Sequence, residues 1–161
     1  IIPLLSFGWI GYLKLIFKPL VKIILTILVC FMVVSLSAQN TTYNLTVIIT
    51  NLKHTNGVVE VGLYRNGENF AKVGLTYKKI RTAITQNQVT VVFSGLEENK
   101  YGVCVFHDEN NNNSCDRNFF GFPTEPYGFS SNMRPFFSVP SFESCAIKLD
   151  KHKTISIKNT L

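Results

Sequence analysis

From Asp108 the chain runs Asp-Glu-Asn-Asn-Asn-Asn-Ser-Cys-Asp, with oxygen-bearing side chains at Asp108, Asn110, Asn112 and Asp116. These are positions 1, 3, 5 and 9 of a calcium loop, in which position 7, here Ser114, offers its backbone carbonyl. The spacing suits a hard cation that gathers roughly six to eight oxygens, because a tight turn directs alternate side chains toward its centre. Position 6 normally carries Gly for its left-handed backbone. Asn113 stands there instead, and Asn is the next most tolerant residue. Cys115 fills the usually apolar position 8. Two features depart from an EF-hand: position 12 is Phe119 instead of a bidentate Glu, and a strand rather than a helix leads into the loop. Glu109 or Glu125 could complete the shell. A modest-affinity Ca2+ site is therefore expected on Asp108, Asn110, Asn112, Ser114 and Asp116. The same residues would also make an Asn-rich turn whose side chains cap backbone amides.

Other groups offer less. His107 beside Asp108, or with Glu125, could be read as an acid–base pair. Successive strand residues point to opposite faces, however, so His107 and Asp108 cannot address one substrate without a bend. His54 in a turn and His152 between two lysines read as solvated. There is no G-x-S-x-G, no H-E-x-x-H and no phosphate-cradling Gly loop. No catalytic residue is assigned, and a hydrolase using His107 stands only as an alternative. Beyond the first 38 residues there are three cysteines, Cys104, Cys115 and Cys145, enough for one bridge at most. Cys115–Cys145, Cys104–Cys145 and buried free thiols all stay open, and no C-x-x-C suggests zinc or redox chemistry.

The elements that must position this loop alternate with period two. Leu45, Val47 and Ile49 alternate with polar or less apolar neighbours, and Asn56-Gly57 is a strong hairpin signal. Val59, Val61 and Leu63 follow. Further runs lie at 77–84, 89–93, 101–107, 145–149 and 154–157. Seven short strands without sustained helical periodicity predict an all-β, seven-stranded antiparallel β-sandwich. The expected inward set is Leu45, Val47, Ile49, Val59, Val61, Leu63, Val89, Val91, Phe93, Val103, Val105, Ile147, Ile155 and Ile157. The stretch 108–142 shows no convincing strand, yet it holds four of the six prolines and eight aromatics. Disordered segments are poor in aromatics, so a long ordered loop is expected. Tyr127, Phe129, Arg134, Phe136 and Phe137 are its candidate partner contacts; packing over the sandwich end as a second small core is the alternative for each aromatic.

The first 38 residues have a different character. Lys14, Lys18 and Lys22 are their only charges, and Ile23 to Ala38 is a run of sixteen uncharged residues closing on Ser37-Ala38. A basic region, an apolar core and a small-residue exit describe a signal peptide, and the run is short for a span of about 20 residues. The expected domains are 1–38, a leader or uncleaved N-terminal anchor, and 39–161, a single β-sandwich. Cleavage is expected after Ala38 or Ser37, with a secreted or periplasmic product that meets the membrane only through its leader. Net charge is +6 overall. Setting the three leader lysines aside leaves 13 basic against 10 acidic residues, too small an excess for a phosphate-held nucleic-acid binder.

The loop and the segment after it also resemble a family. The residues are Phe106-His107-Asp108-x-Asn110-x-Asn112-x-x-x-Asp116, Asn118-Phe119-Phe120-Gly121-Phe122-Pro123, Glu125-Pro126-Tyr127-Gly128-Phe129-Ser130-Ser131-Asn132 and Pro140-Ser141-Phe142-Glu143. Together they are similar to the bacterial DUF2141 family of exported proteins, over essentially all of 39–161. The resemblance implies a β-sandwich of immunoglobulin-like or transthyretin-like type and implies no activity. Asn113 departs from the family's usual Gly, Pro126 from the Gly that commonly precedes Tyr-Gly-Phe, and 134–139 lacks the usual glycines. The expected function is an exported non-catalytic module, steadied by calcium, that binds an unknown protein or glycan. A structural envelope or assembly component is the alternative.

Overall fold

The computed structural model describes residues 17–28, 41–72, 74–133 and 138–160. Two units separate, Ile1–Asn40 and Thr41–Leu161. In the first, residues 17–28 are helical (α1), and no described helix is long and apolar enough to cross a membrane. The expected cleavage position lies outside the described residues.

The second unit is built of strands β1 (Thr42–Thr50), β2 (Val58–Tyr64), β3 (Lys78–Ala83), β4 (Val89–Glu97), β5 (Asn99–Asp108), β6 (Tyr127–Phe129), β7 (Ile147–Leu149) and β8 (Lys153–Lys158). A short helix, α2 (Phe142–Cys145), precedes β7, and Ser141 caps it by accepting from the Ser144 amide. One sheet has the order β4-β1-β8; the other runs β3-β2-β5-β6, with β7 on β5. Alternation decides what each strand buries. Leu45, Val47 and Ile49 of β1 are wholly buried, as are Val59, Val61 and Leu63 of β2 and Val103 of β5. They meet Val89, Val91, Phe93, Val105 and Ile157 in one core between the two sheets, with Ile147 and Ile155 half-buried at its margin. Leu52, Ile84, Leu96, Tyr101 and Leu149 join them.

Two expectations about the sandwich need correction. There are eight strands among the described residues, because Tyr127-Gly128-Phe129 adds a short antiparallel partner to β5. The sheets are also not wholly antiparallel: β8 runs parallel to β1, from Leu45↔Lys153 to Thr50↔Lys158. Period-two patterning assigns faces, not strand direction, so this pairing leaves no trace in the alternation.

A second apolar cluster of Tyr64, Phe70, Phe129, Phe142 and Cys145 lies away from the main core. Tyr64 and Cys104 are carried there on the opposite side of β2 and β5 from Val61 and Val103. Gly102 makes room for it: a Cβ there would come within 2.6 Å of the Phe70 ring and 3.1 Å of Phe142.

Candidate functional site

β5 ends on His107 and Asp108, and both are wholly buried. His107 continues the inward row of Tyr101, Val103 and Val105, whereas Asp108 continues the outward row of Cys104 and Phe106. The register sets Glu60 of β2 between Arg81 of β3 and Phe106 of β5. Arg81 therefore reaches across the outer face. One guanidinium nitrogen donates to Glu60 at 2.7 Å and another to Asp108 Oδ2 at 2.6 Å.

The loop folds back on these carboxylates. Asp108 Oδ1 accepts from the Asn112 amide (3.1 Å) and Oδ2 from the Asn113 amide (2.9 Å). Asn113 takes the left-handed backbone, φ 65°, and so does Asn111, φ 61°. Asn110 Oδ1 and Asn112 Oδ1 accept the amides two residues on, at 3.0 and 2.8 Å. Their Nδ2 groups both donate to the Asp116 carboxylate, at 2.7 and 2.8 Å. Glu125, also buried, braces the turn from the far side: its two oxygens accept the Glu109 and Asp116 amides at 2.9 and 3.0 Å. Burial alone disfavours an ionised Asp108. The Arg81 hydrogen bond, the Asn113 and Asn112 amides and the Arg81 charge outweigh it, and hold this carboxyl below the usual range. The hydrogen bond to Asp108 likewise raises Arg81.

Asp108, Asn110, Asn112 and Asp116 thus gather in one compact turn, with Ser114 in its backbone. Arg81 and Glu125 complete that turn. Arg81 is legible only once β3, β2 and β5 are in register, since as a sequence it reads as part of a solvated face. Glu125 spends both oxygens on loop amides, one hydrogen bond each.

Beyond the turn, Asn118 Oδ1 accepts the Phe120 and Phe122 amides, and Arg117 donates to the Gly121 carbonyl. This small hairpin holds Phe119 and Phe120 out, 97% and 79% exposed, with Phe122 at 47%. Between it and the outer sheet face is a cleft of about 340 Å³, whose lining includes Phe106, Cys115, Phe120, Phe122 and Tyr127. Of the expected contact residues, Tyr127 lines this cleft half-buried. Phe129 does not stand out as a contact: it is 8% exposed and packs against Phe70 and Tyr127. Arg134, Phe136 and Phe137 lie outside the described residues. The exposed pair Phe119-Phe120 was signalled only by its place after the Asp/Asn loop. Cys104, Cys115 and Cys145 are all free thiols. Burial pushes Cys115 up to about 11, so it stays protonated near neutral pH.

Residues 47–157 match the family described as "Uncharacterized protein conserved in bacteria (DUF2141)". The chain belongs to that family. The matched stretch contains the Asp/Asn turn, the Phe119-Phe120 hairpin and both apolar clusters almost entirely. No curated protein and no solved structure matches the chain.

Proposed function

We propose that this DUF2141 protein is an exported, non-catalytic β module whose Asp108–Asp116 turn takes a calcium ion and steadies an aromatic surface for a partner protein or glycan. The observation that carries this reading is the gathering of Asp108, Asn110, Asn112 and Asp116 in one turn, where the two Asn Nδ2 groups each donate to one oxygen of the Asp116 carboxylate at 2.7 and 2.8 Å, beside an exposed Phe119-Phe120 pair. The donor set is all oxygen, the chemistry of a hard cation. Asp108, Asn110, Asn112, the Ser114 carbonyl and Asp116 would supply the ligands, with Asn110 and Asn112 giving up their Nδ2 bonds to Asp116 and turning Oδ1 from the Asn112 and Ser114 amides toward the ion. Arg81 already neutralises part of the Asp108 charge, so the site is expected to be weak and to suit a calcium-rich exterior. Large exposed aromatics beside a cleft are the composition of a recognition surface. His107 faces inward and Asp108 outward, which supports the non-catalytic reading over a hydrolase. The Lys22-to-Ala38 pattern supports export.

Calcium added to the chelated full chain should raise its Tm, by an amount corresponding to about 2.7 kcal/mol at a hundredfold excess over Kd. Asp116→Ala should abolish that rise. Asp116 is the cleaner choice than Asp108, which also holds Arg81. An unchanged Tm in the parent would exclude the ion. For the surface, Phe119→Ser with Phe120→Ser should weaken binding to isolated envelope fractions while leaving Tm unchanged; equal binding would remove the aromatic pair from recognition.

A further inference from the structure

We propose that His54, His107 and Glu109 form a second site, for a late first-row divalent metal ion of the zinc class, distinct from the Asp108–Asp116 turn. The β2–β5 register, Val58↔Asp108 and Val59↔His107, lays the segment before β2 alongside the segment after β5. There a ring nitrogen of each histidine and a carboxylate oxygen of Glu109 all lie within 4.8 Å of one another. His54 Nε2 is 2.9 Å from Glu109 Oε1, and the two imidazole rings stand 4.8 Å apart, tilted by 48°.

The second observation concerns His107 itself. Its Nε2 lies 2.5 Å from the Asn56 carbonyl oxygen, and a carbonyl can only accept, so Nε2 carries the hydrogen. Nδ1 is buried and, among the described residues, has no hydrogen-bond partner, so it is the nitrogen left for the ion. Buried ring nitrogens without a partner are uncommon and call for an explanation such as an ion. An imidazole whose one N–H is fixed by a backbone carbonyl, leaving the other nitrogen free, is the arrangement that orients metal-bound histidines.

The donor set decides the class of ion. Two imidazoles and a carboxylate, with a fourth position open to water, suit zinc, copper or nickel rather than calcium or magnesium. With bonds of about 2.0–2.2 Å, ligand atoms around a tetrahedral ion sit about 3.3–3.6 Å apart, so a separation of 4.8 Å must close by about 1.2–1.5 Å. His54 and Glu109 can supply that movement, since their side chains are 40% and 37% exposed. His107, buried in β5, is the fixed ligand. An ion here would tie the β1–β2 connection to the end of β5.

The test uses the full chain, stripped with chelator and titrated with Zn2+ against a chromogenic competitor, and separately with Co2+ read by its visible absorption. One equivalent should bind, with nitrogen-containing tetrahedral character in the Co2+ spectrum. His54→Ala and Glu109→Gln should each weaken Zn2+ at least tenfold, while His152→Ala and millimolar Ca2+ should leave it unchanged. Both variants alter partly exposed side chains, and their apo Tm values check that the fold is kept. The proposal is overturned if the parent takes up neither ion, or if His54→Ala and Glu109→Gln bind as tightly as the parent.

Discussion

Asp108 shows how one residue can hold a turn without any ion. It is wholly buried, yet charged, because Arg81 and two loop amides surround it. Removing one partner of such a pair leaves an uncompensated charge, so Arg81→Met should cost about 3 kcal/mol in urea unfolding. The pH dependence comes from the direction of the shift. A carboxyl held below its unfolded value of about 3.9 contributes stability above that pH, and the contribution disappears as pH falls through the folded value. Tm measured from pH 7 to pH 2 should therefore drop more steeply in the parent than in Asp108→Asn. Equal slopes would mean that Asp108 is not ionised in the fold. The Asp/Asn spacing was legible as a turn organised by carboxylates, because Asx side chains bond nearby amides wherever they recur. Its dependence on Arg81 was not, because Arg81 is 27 positions away and comes near only through two strand pairings.

Among the elements, the connection from β1 to β2 is the least forgiving. Gly57 has φ 73°, and a Cβ there would lie 2.0 Å from the Asp108 carbonyl oxygen. Gly57→Ala should cost well over the roughly 1–2 kcal/mol of left-handed strain alone, because backbone must also move. Gly95 provides the comparison: φ 66° and open space around its Cβ, so Gly95→Ala should cost only the strain. Similar losses from both would deny the close approach of the two segments. Alternation revealed β1, β2, β4 and β5 and their inward faces, because each is long enough to repeat the pattern several times. It missed β6, which is three residues long and comes directly after Pro126. It also left Tyr101 and Leu96 out of the core: Tyr101 opens the run 101–107 with a hydroxyl-bearing side chain, and Leu96 lies beyond the run 89–93. Among the described residues β3 lies at a sheet edge, and its Lys79 and Arg81 both pair with Glu60 beside it. Charged edges discourage strand addition, which weighs against the assembly alternative at this edge.

For the molecule as a whole, two uses stand out among the described aromatics of the long loop. Phe129 and Phe142 join Tyr64, Phe70 and Cys145 as a second core, whereas Phe119 and Phe120 face solvent. Composition alone cannot separate these uses, since each side chain is equally apolar; sheet geometry does so, through Gly102 and through Ser130, whose hydroxyl joins the Val103 amide to the Cys145 carbonyl. Phe142→Ala should cost about 3–5 kcal/mol, as expected for a large core deletion, and Phe120→Ala close to nothing. Export is checked by mass spectrometry of the mature product, expected to begin near Gln39; a membrane-bound product of full length would count against cleavage.

The parallel ladder between β1 and β8 carries a kinetic consequence. Leu45 meets Lys153, 108 positions later, and without β8 the edge of the smaller sheet stays bare along Val47 and Ile49. Closure over so long a span is slow, because the entropy lost in bringing the ends together precedes the contacts that compensate it. Until β8 has been synthesised, the smaller sheet of a nascent chain can hold only its β4–β1 pair, so completion of that sheet is expected to come late in folding.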